Sequence, residues 1–221
     1  MRSILVAAAA ILLSAGAAHA QEQLPNAPRP YDDVFGFGSS GMVAGIPVPS
    51  LLTPGSVPAL YQLDPRWSAI PLGRWDDIGE KGCYVIVYAR IGLKRGYSND
   101  PLELIRYLSS EFVLPNGKFQ TNLIDQAFPG TPKPERFGIS GFNKSLASRV
   151  ELELARGSDV TIKLKRGKNH FHLVQVEEVR SNDFLIFDPG RRDSFASLSQ
   201  RYGYPKRGSE MVIIGPSQKL G

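Results

Sequence analysis

At 221 residues and 42% hydrophobic content, the chain is long enough for one domain with a substantial core and short for two. Its 26 basic and 21 acidic residues give a net charge of +5, a modest excess without the interleaved aromatics that nucleic-acid binding calls for. The single cysteine, Cys83, rules out an intramolecular disulfide, so stability must come from packing.

The chain opens with Arg2, an apolar run from Ile4 to Leu13, and a small-x-small ending at Ala18-His19-Ala20. That pattern predicts a cleavable secretory signal over residues 1–20, cut before Gln21, and a periplasmic or secreted mature protein. No cysteine follows the cut to carry a lipid, and no later stretch has the length of a membrane span. Residues 21–57 are punctuated by proline and glycine, from Pro25 to Gly55, with no sustained period. They read as a leader or linker, a tether or a regulatory segment. The folded domain is expected over 58–216.

Within it, Asp100-Pro101-x-Glu103 starts a helix over about 101–112, with Leu104, Ile105, Leu108 and Phe112 on one face. A shorter helix is predicted from Thr121 to Phe128, ended by Pro129-Gly130. A third runs from Asn143 to Arg156, with Leu146, Val150 and Leu154 on a stripe and Gly157 as its stop. The period then changes to two. Val160 to Lys165, Phe171 to Val179, Phe184 to Phe187 and Met211 to Ile214 read as strands. Lys163, Lys165, Arg166 and Lys168 read as a solvated strand face and its turn. Helices first and a strand meander second describe an α+β domain. Residues 84–91 fit a strand by their β-branched run, and a helix buried on all sides equally well.

Cys83 precedes that ambiguous run, at the mouth of a buried element, where a thiol nucleophile belongs. Beyond the signal there are two histidines, His170 and His172, spaced to share one face of a strand. Such a pair could also ligate a metal, but no third ligand of clear spacing accompanies it, and no cofactor is expected. Asp188, in Phe187-Asp188-Pro189-Gly190, ends a strand and could accept a ring N–H, the orienting role in a nucleophilic triad. It could equally serve only its turn. Gln62, 21 residues before Cys83, offers an amide that could donate to an oxyanion.

The order Gln62, Cys83, His, Asp188 resembles the papain-like cysteine peptidases. More narrowly, the chain resembles family thirty-nine of those peptidases, the bacteriocin-processing or double-glycine peptidases, in their stand-alone secreted form. The matching words are Gln62-x-Asp64-Pro65-Arg66-Trp67, Pro71-Leu72-Gly73, Ile78-x-x-x-Gly82-Cys83, Asp100-Pro101-x-Glu103-Leu104, Asn116-Gly117, Ala127-Phe128-Pro129-Gly130, Glu153-Leu154-Ala155-Arg156-Gly157, His170-Phe171 and Asp188-Pro189-Gly190. The resemblance spans about residues 59–215. It departs at Tyr84-Val85-Ile86, where small or hydroxylated residues are usual, at Gly157-Ser158-Asp159 and at Val176.

The resemblance implies a papain-like fold, an N-terminal helical half whose central Cys-bearing helix packs on an antiparallel β-sheet, and it settles 84–91 as helical. It implies Cys83 as nucleophile at a helix N-terminus, where the dipole and an imidazolium favour thiolate. His170, preferred to His172 because His-Phe begins the apolar run, would be the base, Asp188 its orienter and Gln62 an oxyanion donor. The expected function is a thiol-dependent hydrolase of peptide or amide bonds in the cell envelope, acting on a peptide or a peptidoglycan-like substrate. The alternative is a non-catalytic module that holds a peptide or cell-wall segment on the same fold.

Overall fold

The computed structural model describes residues 57–217. The expected signal at 1–20, and the expected leader except for Val57, lie outside the described residues. Val57 is already buried in the core.

A short antiparallel hairpin, β1 (Pro71–Leu72) and β2 (Asp76–Asp77), opens the body. The Asp77 carboxylate accepts from the Glu80 N–H at 2.9 Å and starts a single turn, α1 (Ile78–Lys81). One residue later begins α2 (Cys83–Lys94). Ten of its twelve residues are buried, Cys83 and Val85 to Leu93. Enclosure on every side makes helix the better solution for this stretch, despite its β-branched run Val85-Ile86-Val87.

α3 (Pro101–Glu111) packs along α2 and buries Leu104, Ile105 and Leu108. Asp100 caps it by accepting from Leu102 N–H at 2.8 Å. Glu103 completes the cap through an intermediary: it accepts from the Ser98 hydroxyl, which accepts in turn from Asp100 N–H. The predicted helix after Thr121 is a 3-10 turn, Thr121–Leu123, running into α4 (Ile124–Ala127).

The sheet is six-stranded and antiparallel throughout. Its strands are β3 (Glu135–Ile139), β4 (Asp159–Lys165), β5 (Phe171–Arg180), β6 (Asp183–Phe187), β7 (Phe195–Ser197) and β8 (Ser209–Ile214), in the order β3-β8-β4-β5-β6-β7. The period-two pattern serves two cores. Leu173, Phe187, Val212 and Ile214 join the core built by α2, α3 and α4. Val160, Ile162, Val174, Val176, Ile186, Met211 and Ile213 join a second core. That one is covered by α5 (Lys144–Ala155) and α6 (Leu198–Tyr202), which bury Val150 and Leu198. The architecture is α+β, with an antiparallel sheet between two helical layers.

Arginines fix α2 to the sheet. Arg90, with a side chain 5% exposed, donates to Gln175 Oε1 at 2.7 Å and Glu177 Oε1 at 2.6 Å on β5, and its guanidinium lies over the Phe187 ring. At the far end, Arg95 reaches the buried Asp159 at 2.7 Å and the carbonyls of Ile214 and Gly215. Lys94 takes the other Asp159 oxygen at 2.8 Å. Cations at a helix C-terminus also suit its dipole. Among the described residues no helix is long and apolar enough to cross a membrane.

Candidate functional site

Gly82 is the hinge between α1 and α2. Its N–H donates to Ile78 O at 2.8 Å and its carbonyl accepts from Ile86 N–H at 2.9 Å. A Cβ at this position would lie 2.5 Å from Ile78 O and 2.6 Å from Ile78 Cγ2, so only glycine lets the two helices meet here. The junction sets Cys83 at the first position of α2, where backbone N–H groups have no helical partner and the dipole is positive. Its thiol is free and its residue 6% exposed.

The second residue of β5, His172, faces this junction. Its Nε2 is 2.8 Å from Asp188 Oδ1, and the Cys83 thiol is near enough to act on the ring. With Nε2 committed to the carboxylate, Nδ1 is the nitrogen left for sulfur. Burial alone would favour a neutral ring. The Asp188 hydrogen bond, then the Cys83 thiol and the charges of both, outweigh it and raise His172 to about 9.

Asp188 follows β6 and is fully buried. Burial would push its carboxyl up, but hydrogen bonds from His172, Tyr202 and Gly190 N–H, with the His172 charge, hold it well below the usual carboxylate range. Oδ1 accepts from His172 and from Gly190 N–H at 3.0 Å. Oδ2 accepts from Tyr202 OH at 2.5 Å and Arg201 Nη1 at 3.2 Å. The Asp-Pro-Gly turn and the orienting role are therefore served by one carboxylate. Gly190 also seats the imidazole: a Cβ there would come within 3.3 Å of His172 Cε1.

Gln62 is buried and bridges the two halves of the site. Its backbone N–H donates to Pro189 O at 2.8 Å, beside Asp188. Its side-chain Nε2 donates to Gly79 O at 2.9 Å, in the turn that leads into Cys83. A glutamine amide carries two N–H donors, so one beyond the Gly79 bond remains for a ligand.

The structure thus brings Cys83, Asp188 and Gln62 together and corrects the choice of histidine. His170 is exposed in the turn between β4 and β5, where its carbonyl accepts from the N–H groups of Arg166 and Gly167. The strand begins at Phe171, so the shared-face argument does not extend to His170. It closes the base of the turn, one residue before the strand, while His172 holds the place beside the carboxylate. Among the described residues, no group of three or more His, Cys, Asp or Glu side chains is arranged to hold a metal ion.

Arg201 and Tyr202 were not legible as site residues. The Tyr202 ring also lies 5.6 Å from that of His172, inclined at 59°. Both side chains depend on the five-residue α6, whose start does carry a signal: Ser197-Leu198-Ser199-Gln200 has capping-box spacing, and Ser197 Oγ accepts from Gln200 N–H at 3.2 Å.

No known protein-family profile matches the chain, and neither a curated protein nor a solved structure shows significant similarity to it.

Proposed function

We propose that this protein is a thiol-dependent hydrolase of peptide or amide bonds, with a papain-like fold, exported to work in the cell envelope. One observation carries the reading. The sole cysteine opens a buried helix within reach of an imidazole that a fully buried aspartate holds at 2.8 Å. A structural cysteine needs neither an ionised neighbour nor an oriented one.

The reaction follows from the parts. With His172 as the imidazolium, the Cys83 sulfur attacks the carbonyl carbon of the scissile amide as thiolate. The oxygen takes up the charge, with the Cys83 backbone N–H and the spare Gln62 N–H as donors. His172 then delivers its proton to the departing nitrogen as the C–N bond breaks, leaving a thioester. Water, deprotonated by the now neutral ring, hydrolyses the thioester and restores the thiol. Asp188 holds the ring's tautomer and balances its charge in both halves.

Iodoacetamide labelling tests the pair directly. Cys83 is expected to alkylate at pH 6 at least tenfold faster than an ordinary thiol, whose pKa is about 8.5, and His172→Ala should abolish that advantage. Envelope extracts incubated with wild-type protein should yield cleaved products absent with Cys83→Ala. Slow, ordinary labelling would reject the enzyme and leave a binding module on this scaffold.

A further inference from the structure

A second feature borders the site and takes no part in the chemistry above. A pocket of about 150 Å³ opens between the end of β4, with its turn, and the loop from α6 to β8. Lys165, Arg166 and Lys206 line it, together with Tyr202, Tyr204 and the buried Ser209. No carboxylate contributes to the lining. Among the described residues, none of the three cations makes an ion pair. Arg166 instead lies over the Tyr202 ring at 4.5 Å, which holds the guanidinium without neutralising it. The stem of Lys165 runs against Gly208, where a Cβ would meet its Cδ at 3.0 Å.

Three like charges around one concavity repel one another and favour an anion between them. The volume equals roughly five waters' share of liquid, the scale of one carboxylate side chain. Tyr202 is common to both places: it walls the pocket, donates to Asp188 and sets its ring at an angle against that of His172. A group held in the pocket is therefore one aromatic ring from the imidazole.

We propose that this pocket is a specificity subsite that takes an acidic side chain, Asp or Glu, of a peptide bound across Cys83 and His172. It rests on the hydrolase reading for its substrate class, but its test does not need turnover.

The full chain carrying Cys83→Ala is titrated calorimetrically with acetyl-Gly-Glu-Glu-Gly-amide, with the glutamine counterpart and with inorganic phosphate. The glutamate peptide should bind about tenfold tighter than the glutamine one, the scale of one charge-assisted hydrogen bond. That preference should collapse in high salt and in Lys165→Gln/Lys206→Gln, whose fold is checked by circular dichroism. Arg166→Gln gives an independent reading should the double variant fail to fold. Equal binding of the two peptides overturns the proposal, as does a preference that survives the substitutions. Phosphate binding without a preference for glutamate also overturns it, marking a free-anion site instead. A glutamate preference in a protein whose Cys83 labels slowly would support the pocket and sink the hydrolase reading, so the two failures are distinguishable.

Discussion

Two histidines two residues apart differ completely in what surrounds them. His172 is one of the four groups bound to Asp188, whereas His170 sits exposed at the end of a turn, just before β5. Spacing alone made them equivalent, and the deciding quantity was where β5 starts, a boundary that single-sequence reasoning places poorly. Function should separate them. His172→Ala is expected to lower kcat by about 10²–10⁴, the usual worth of a positioned proton-transfer group. His170→Ala should stay within about twofold, since its imidazole has no part in the cluster. Steady-state kinetics on a substrate found from envelope extracts would measure both. A larger loss at His170 would restore the assignment made from the sequence.

At the scale of elements, the position of sulfur depends on how α2 is pinned to the sheet. Arg90 is the chief tie, since it spans to Gln175 and Glu177 on the strand that carries His172. Removing one partner from a buried ion pair leaves the other uncompensated, whereas breaking an exposed pair costs little. Arg90→Met should therefore lose about 3 kcal/mol in urea unfolding, less than a fully buried pair because Glu177 is 22% exposed. Arg180→Met, which breaks a pair more than half exposed at both ends, should lose under about 1 kcal/mol. Adding Glu177→Leu to Arg90→Met should recover most of the loss. Equal effects at both sites would mean that the helix is held by packing alone. Elements with strong periods, α3, α5, β4, β5, β6 and β8, were legible in the sequence nearly to their ends. β3 and β7 were not: Glu135 and Arg136 are polar, with no alternation, and Phe195–Ser197 is too short to carry a period. Helix for α2 could not come from propensity, because burial on all sides decides it.

For the molecule as a whole, the site is an assembly of distant segments, and its charge should be visible in global stability. Gln62, Cys83, His172 and the Asp188–Tyr202 stretch come from four parts of the chain. They meet through the loop bonds of Gln62, the layering of α2 on β5 and the capped turn of α6. The sequence could supply the residue types, yet Arg201 and Tyr202 reach Asp188 only because α6 folds back beside β6. Folding raises His172 from its ordinary 6.5 to about 9, so the native state holds a proton that the unfolded chain releases. The stabilisation is therefore complete below about pH 6.5 and drains away as pH rises through 9. Asp188 works in the opposite sense, its carboxyl being lowered from 3.8. Its contribution is present above that value and is lost as acid protonates it. Wild-type protein should accordingly lose several degrees of Tm between pH 6.5 and 9. His172→Gln keeps an N–H donor for Asp188 but cannot titrate, so its profile should be flatter across that window. Differential scanning calorimetry at half-unit pH steps measures the difference, and parallel profiles would show that His172 carries no extra proton in the folded protein.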